Sequence, residues 1–175
     1  ESQLANPKSQ NPNPNSVVMI QCVGPAEKYC GRTCCTTALK NALRLKSADP
    51  DAQVTILYTD IRAYGFKERL YTEARRQGVR FIRYGFDRKP VVEISNSKLQ
   101  TSNDGAQSAI VVRVREPILD MEIELRPDML VLSTPMVPAD GARELGSKLK
   151  VPEDADGFFL EAHVKLRPVD FASEG

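Results

Sequence analysis

Residues 17–58 of the 175-residue chain read VVMIQCVGPAEKYCGRTCCTTALKNALRLKSADPDAQVTILY, and they contain the pattern from which the fold class can be inferred. The apolar, β-branched start predicts a buried strand over Val17–Cys22. Apolar and small residues then recur every three or four positions, which predicts a helix from about Cys30 to Lys46, ended by Asp49-Pro50. VTILY, residues 54–58, predicts a second strand. A strand, a helix and a strand in this order indicate a parallel, right-handed βαβ unit.

The α/β pattern continues beyond this unit and then changes. Thr59 or Asp60 is expected to cap a helix that extends to about Gln77, with Gly78 just past its end, and VRFI from Val79 predicts a third strand. Three β-rich segments then predict an antiparallel meander; they cover residues 91–94, 109–116 and 119–126. A strand at 129–134, a helix at 142–149 and a final strand around 158–161 are expected to complete the fold. The predicted class is α/β, a three-layer Rossmann-like parallel sheet with a small antiparallel β-meander.

Domain organisation follows from composition along the chain. Residues 1–16 are rich in Asn, Pro, Ser and Gln and have few apolar side chains, so we expect a flexible tail or linker. Residues 17–175 are expected to form one domain, because an apolar share of 41% suffices for a core at this length.

Charge and hydropathy exclude several classes of function. Lys plus Arg number 24 and Asp plus Glu 23, so a net charge of +1 gives no reason to expect nucleic acid or an anionic membrane as a partner. No apolar run approaches the ~20 residues that cross a bilayer, and no secretory signal is recognisable. The chain is therefore predicted to be soluble, intracellular and cytoplasmic. In that reducing compartment, clustered cysteines indicate metal binding, catalysis or burial rather than disulfides.

The turn after the first strand lacks the glycine pattern of nucleotide-binding proteins. Such turns carry Gly-x-Gly-x-x-Gly so that pyrophosphate can approach bare backbone at a helix N-terminus. This chain has only Gly24, followed by Pro25 and by Glu27, whose charge would repel phosphate. Nucleotide binding at this turn is therefore disfavoured. Asp60 occupies the place of a ribose-binding carboxylate, but we expect it to be a helix N-cap.

All four cysteines of the chain lie within fourteen residues, in the pattern C-x7-C-x3-C-C. The predicted elements bring Cys22 at the strand end close to Cys30, Cys34 and Cys35 at the helix start, where the helix dipole stabilises thiolates. Four sulfurs around a [4Fe–4S] cluster are compatible with this geometry, and the adjacent pair suits a cluster better than a single zinc ion. Buried thiols, a zinc site and a redox dithiol remain alternatives.

Two further candidates are less informative. His163 is the only histidine, and it lies far from the cysteines in sequence, so we interpret it as a surface or packed residue. Tyr64 and Phe66 lie among alternating charges, which is typical of a solvated face; a docking role for them is the alternative.

Four stretches resemble the A subunits of heterodisulfide reductases: IQCVG, YCGRTCCTTALKNA, ILYTDIRAYGF and DGFFLEAHVKLRPVDFA. The resemblance extends from Val17 to Gly175. It implies an iron–sulfur flavoprotein with a core like that of thioredoxin reductase, and a domain of the pyridine-nucleotide-disulfide oxidoreductase type. It also implies a [4Fe–4S] cluster whose ligands are Cys22, Cys30, Cys34 and Cys35. A flavin-binding glycine motif is missing from the chain, so the resemblance implies a fragment of a longer protein that binds FAD.

The function implied by the resemblance is electron transfer through the four-cysteine cluster. The parent protein is expected to be an oxidoreductase of the heterodisulfide reductase type, while the isolated domain needs no catalytic residue. The expected partners are other iron–sulfur or flavin subunits of an oxidoreductase complex, without nucleic acid or membrane insertion. An NAD(P)H-binding oxidoreductase domain and a zinc-stapled interaction module are the alternatives.

Overall fold

A computed structural model of the chain describes residues 14–25, 30–94 and 110–172. The chain divides into two compact units. The sheet unit contains residues up to 23 together with 32–134, and the C-terminal unit contains 24–31 together with 135–175. The first thirteen residues of the predicted tail lie outside the described residues. Asn15 and Ser16 are already tied to the sheet, because Gln53 N donates to Asn15 O at 2.7 Å and Ser16 N to Asp128 Oδ2 at 2.9 Å.

The sheet unit contains a parallel and an antiparallel sheet. Its elements, in chain order, are β1 (Ser16–Ile20), α1 (Cys34–Ala48), β2 (Gln53–Tyr58), a 3₁₀ turn (Gly65–Lys67), α2 (Glu68–Arg76), β3 (Arg80–Arg83), β4 (Val91–Ile94), β5 (Ile110–Glu116), β6 (Met121–Leu125) and β7 (Met129–Leu132). The parallel sheet has the order β3-β2-β1-β7 and the antiparallel meander the order β4-β5-β6. The α/β class and the meander are therefore as predicted.

Alternation along the parallel strands separates two hydrophobic cores. Val17 and Met19 pack with Ile56 against the apolar faces of α1 and α2. Val18 and Ile20 of the same strand pack instead on the side of the meander. Burial of each such aliphatic side chain stabilises the fold by roughly 1.5–3 kcal/mol. Because both faces of the central strands are covered, their sequences are nearly continuous apolar runs. Helices, parallel sheet and meander thus form the three predicted layers.

The start of α1 differs from the prediction. The helix begins at Cys34, not near Cys30, and it ends at Ala48 as the Asp49-Pro50 pair predicts. Arg32 adopts a left-handed φ of 57°, which cannot continue a right-handed helix. The spacing of apolar residues gives no sign of such a left-handed backbone conformation. Cys30 therefore lies outside the helix, and the prediction that the helix begins near Cys30 is wrong.

The role predicted for Asp60 is also wrong. The helix after β2 begins only at Glu68, after the 3₁₀ turn, and Asp60 therefore does not cap it. Tyr64 is extended and Gly65 has a left-handed φ of 64°, so the backbone cannot be helical from residue 60 onward. The Asp60 carboxylate instead lies 3.1 Å from Arg62 Nε. Gly78, with φ of 80°, ends the segment as predicted.

The C-terminal unit contains α3 (Ala142–Leu149), which has the predicted bounds. The final strand predicted around residues 158–161 is wrong, because Phe159 forms only an isolated bridge with Glu153. Asp154 Oδ1 accepts the backbone N–H groups of Asp156 and Phe158, both at 2.9 Å, and thereby forms a tight turn in place of a ladder. Across the described ranges, no helix has the length and apolar character needed to cross a membrane.

Candidate metal centre

Three of the four predicted ligands lie at one edge of the parallel sheet. Cys22 follows the carboxyl end of β1 by two residues, and Cys34 and Cys35 are the first two residues of α1. In the order β3-β2-β1-β7, the strands after β1 lie on one side of it, but β7 pairs with its other side. The point where the strand order reverses therefore lies between β1 and β7. In open parallel sheets, ligands bind at this edge, outside the carboxyl ends of the strands. The cysteines therefore occupy the usual place of a ligand in this architecture.

Cys22 adopts an unusual backbone conformation, with a left-handed φ of 58°. This conformation costs a residue with a side chain about 1 kcal/mol, so the surrounding structure must hold it. The preceding residue, Gln21, accepts a hydrogen bond on its backbone carbonyl from the buried phenol of Tyr84. Burial raises the pKa of Tyr84, and the neighbouring Cys22 thiol raises it further. Tyr84 therefore remains a protonated donor that fixes the backbone beside Cys22.

The first turn of α1 presents a thiol pair and contains no acidic residue of its own. Cys35 is 2% exposed, and its Sγ donates to the backbone carbonyl of Asp60 at 3.7 Å, whereas Cys34 is partly exposed. Thr33 makes no side-chain capping bond, and the first helical turn contains no acidic residue. A helix N-terminus of this kind favours anionic groups. The local electrostatics therefore suit thiolate ligands.

Cys30 belongs to the C-terminal unit and is partly exposed. Residues 26–29, which include Glu27 of the turn, lie outside the described residues. Within the described ranges, no three His, Cys, Asp or Glu side chains are grouped to hold one metal ion. The four-cysteine ligand set accordingly stays a prediction.

Buried polar atoms without hydrogen-bond partners lie near the same edge. Gln21 is 1% exposed, and its Oε1 accepts from Ser133 Oγ at 2.8 Å, while its Nε2 has no partner among the described residues. Thr36 Oγ1, in the first turn of α1, and Thr59 Oγ1, just after β2, are likewise unpartnered. Each such group costs about 1–3 kcal/mol when unpaired. Thiols together with these donors match the needs of an iron–sulfur cluster, whose sulfurs accept hydrogen bonds.

Sequence reasoning missed Gln21 as a functional candidate. A signal was present, because Gln21 is a polar residue that directly continues the apolar run VVMI of β1. A polar side chain at such a position is buried, and a buried amide needs partners. The carboxyl end of a strand is also where functional side chains collect in this fold class.

The glycine turn is covered by a side chain. A Cβ atom at Gly24 would lie 2.5 Å from Pro135 Cγ and 2.8 Å from Pro135 Cδ, so the proline ring packs directly on the glycine backbone. Pyrophosphate needs bare backbone at such a turn. The proline ring therefore covers the backbone that a pyrophosphate would approach, and the interpretation that nucleotide binding is disfavoured at this turn stays a prediction.

The remaining candidates have local roles. His163 is exposed, and its Nδ1 accepts the backbone N–H groups of Lys165 at 3.2 Å and Leu166 at 3.0 Å, which makes it part of a turn. This agrees with its interpretation as a surface residue. Tyr64 and Phe66 are 65% and 89% exposed, and Arg69 lies over the Phe66 ring at 5.9 Å from its centroid. Their docking role stays a prediction.

Curated relatives match nearly the whole chain. The A subunit of ferredoxin:CoB-CoM heterodisulfide reductase from Methanosarcina acetivorans is 38% identical over 168 residues, which cover 93% of this chain and 19% of that protein. The A subunit of H(2):CoB-CoM heterodisulfide,ferredoxin reductase from Methanothermobacter marburgensis is 36% identical, with 95% and 24% covered. The iron-sulfur A subunit of CoB--CoM heterodisulfide reductase from Methanocaldococcus jannaschii is 37% identical, with 95% and 25% covered. The chain thus spans about a quarter or less of the length of these relatives.

Family models and solved structures give less information about this chain than the curated relatives do. No protein-family model matches the chain. Thioredoxin reductase from T. acidophilum is 15% identical with a TM-score of 0.45, over 91% of this chain and 45% of that one. The fold described above rests on strand order and register, and the relationship rests on the curated relatives. Over the segment that it spans, the chain is therefore a homologue of heterodisulfide reductase A subunits, which confirms the resemblance found in the sequence.

Proposed function

We propose that this chain is an electron-transfer segment of a heterodisulfide-reductase-like iron–sulfur flavoprotein, and that Cys22, Cys30, Cys34 and Cys35 bind a [4Fe–4S] cluster. The observation that carries the proposal is the placement of Cys22, Cys34 and Cys35 at the carboxyl edge of the parallel sheet. The relative from Methanocaldococcus jannaschii is named as an iron-sulfur subunit, which supports the same cofactor class.

The chain's own residues supply the surroundings that such a cluster requires. The N-terminus of α1 lacks a side-chain cap at Thr33 and an acidic first turn, so it favours the negative charge of thiolates. Tyr84 holds the carbonyl of Gln21 and with it the strand end that presents Cys22. When bound, the cluster would supply one-electron outer-sphere transfer. Burial and hydrogen bonds to sulfur would set its reduction potential.

The whole protein is proposed to be an oxidoreductase that also binds FAD, and to work in the cytoplasm with other iron–sulfur or flavin subunits. Support comes from the names of the relatives, which describe A subunits of heterodisulfide reductases. Flavin binding would need residues beyond those identified in this chain. The segment itself would therefore relay electrons rather than transform a substrate.

Anaerobic purification of the full chain, followed by iron, sulfide and zinc analysis, tests the proposal. We expect about four irons and four sulfides per chain after reconstitution, with a brown colour that reduction bleaches. An iron-free, colourless wild-type protein would overturn the proposal. One zinc per chain with unfolding by a chelator would indicate the zinc-stapled module instead. Saturable nicotinamide-nucleotide binding without iron would indicate the NAD(P)H-binding domain.

Substitution of the ligands sharpens this test. Cys22→Ser, Cys30→Ser, Cys34→Ser and Cys35→Ser are each expected to lose most of the iron. Thr37→Ser is the matched control, because Thr37 is exposed in the same helical turn and carries no thiol. Cys30→Ser is the decisive variant, since Cys30 lies outside α1. Full iron content in Cys30→Ser would show that the ligand set is wrong.

A further inference from the structure

The side-chain amide of Gln21 has a hydrogen-bond partner for its oxygen but none, among the described residues, for its nitrogen. Its Oε1 accepts a hydrogen bond from Ser133 Oγ at 2.8 Å, while its Nε2 is buried and has no partner among the described residues. A buried amide N–H without an acceptor is costly, and native proteins keep such groups mainly where a ligand or water completes them. Gln21 is therefore a candidate for contact with a bound group.

Backbone pairing indicates the face of the sheet on which this amide lies. Gln21 N donates to Leu57 O at 2.8 Å and Ser133 N to Ile20 O at 2.9 Å, so both residues extend the strand ladders past β1 and β7. Strand alternation then places Gln21 on the face of Val17 and Met19, which pack against α1 and α2. Ser133 follows the same alternation from Val131, which packs in that core. The amide thus lies on the helix-covered face, at the carboxyl edge.

A second buried donor lies at the start of the helix that covers this face. Thr36 Oγ1, in the first turn of α1, is also buried and without a partner among the described residues. Thr36 follows Cys35 directly, just as Gln21 directly precedes Cys22. Two predicted ligands are thus each adjacent in sequence to an unsatisfied hydrogen-bond donor. The other two unpartnered side-chain atoms among the described residues belong to Thr55, within β2, and Thr59, just after β2, and neither residue is adjacent to a cysteine in sequence.

We propose that Gln21 Nε2 donates a hydrogen bond to a sulfur of the cluster or of its cysteine ligands, and that Ser133 and Tyr84 are positioning residues for it. This inference rests on the proposed function, since it assigns a role to Gln21 at the proposed cluster. A hydrogen bond to sulfur stabilises the reduced, more negative state, so it raises the reduction potential. Ser133 holds the amide through Oε1, and Tyr84 holds the carbonyl of the same residue.

Redox titration of the full chain, monitored by electron paramagnetic resonance, tests this role. Gln21→Leu keeps the side-chain size but removes the donor, and we expect a more negative potential. The expected change is about tenfold in the reduced-to-oxidised ratio, which is ~59 mV for a one-electron couple. Ser133→Ala is expected to shift the potential in the same direction by a smaller amount, because the amide loses its anchor. Iron and sulfide contents should remain at the wild-type level in both variants.

Thr55→Val is the matched control. Thr55 Oγ1 is also buried and unpartnered among the described residues, but Thr55 lies within β2, opposite Val18 and away from the carboxyl edge. Its substitution is expected to leave the potential unchanged. A loaded wild type with an unchanged potential in Gln21→Leu would overturn this inference and leave the proposed function intact. If Gln21→Leu does not fold, Ser133→Ala decides, and an unchanged potential there overturns the inference. A wild type without iron would instead overturn the proposed function, and this inference with it.

Discussion

The phenol of Tyr84 donates a hydrogen bond to the backbone carbonyl of Gln21, and so joins the residue after β3 to the residue before Cys22. The ring of Tyr84 packs between the parallel sheet and the meander. One side chain thereby links the middle layer, the meander and the strand end that bears a proposed ligand. This hydrogen bond fixes the backbone carbonyl directly before Cys22, whose φ is left-handed at 58°.

Removal of the Tyr84 hydroxyl should destabilise the sheet unit. In Tyr84→Phe the buried carbonyl of Gln21 loses its donor, which we expect to lower the free energy of unfolding by about 1–2 kcal/mol. Urea denaturation followed by circular dichroism measures this change. Tyr64→Phe is the control, since Tyr64 is largely exposed and should behave like wild type. Equal stability of Tyr84→Phe and wild type would contradict the role of this bond.

The ionisation of Tyr84 gives a prediction at alkaline pH. Burial raises its pKa above the ordinary value, with a further contribution from Cys22, so the phenol stays protonated near pH 10 in the folded chain. The stabilisation linked to this raised pKa is fully present below the unfolded value of about 10, and is lost as pH rises toward the folded pKa. Ultraviolet absorbance of tyrosinate should therefore be the same near pH 10 in wild type and Tyr84→Phe. A smaller signal in the variant would show that Tyr84 ionises normally.

The contact between Gly24 and Pro135 should be sensitive to a single methyl group. In Gly24→Ala the new Cβ would overlap the proline ring, and we expect a loss of about 1–3 kcal/mol from the C-terminal unit. Pro135→Ala in the same chain removes Cγ and Cδ, the two closest atoms, and should recover most of the loss. Limited proteolysis of the two single variants and the double variant measures the coupling. Additive effects of the two substitutions would mean that these residues do not pack together.

Glu73 is expected to contribute to the loss of folded-state stability at acidic pH. Hydrogen bonds from Arg76 and Gln77 lower the pKa of Glu73 to about 2. A lowered pKa stabilises the folded state above the unfolded value of about 4.3, and this contribution is lost as pH falls toward 2. Nuclear magnetic resonance titration of the Glu73 carboxyl should show the low midpoint in wild type. Arg76→Ala should raise that midpoint, whereas Arg69→Ala, on the same helix, should leave it near 2.

Several elements follow from local sequence because their physical cause is local. Continuous apolar runs predict β1 and β2, since strands covered on both faces need no polar alternation. Asp49-Pro50 and Gly78 mark helix ends because proline and left-handed glycine cannot continue a helix. The bounds of α3 also follow directly from its sequence. The cysteine spacing indicates a metal or thiol site, but by itself leaves cluster, zinc and burial open.

Other features depend on contacts that periodicity does not contain. α1 starts at Cys34 rather than near Cys30 because Arg32 is left-handed, a conformation that no local pattern predicts for an arginine. Asp60 faces Arg62 instead of capping a helix, because Tyr64 is extended and Gly65 is left-handed.

The α/β class, the strands β1 to β7 and the clustering of all thiols beside one turn follow from the sequence alone, because apolar periodicity and residue type act over short distances along the chain. The tertiary structure decided which groups surround that turn. Only the pairing of β7 with β1 brings Ser133 to the amide of Gln21, and only the order β3-β2-β1 in the parallel sheet brings Tyr84, which follows β3, to the carbonyl of Gln21. These contacts join residues more than sixty positions apart, and burial of the polar atoms between strands makes each hydrogen bond count.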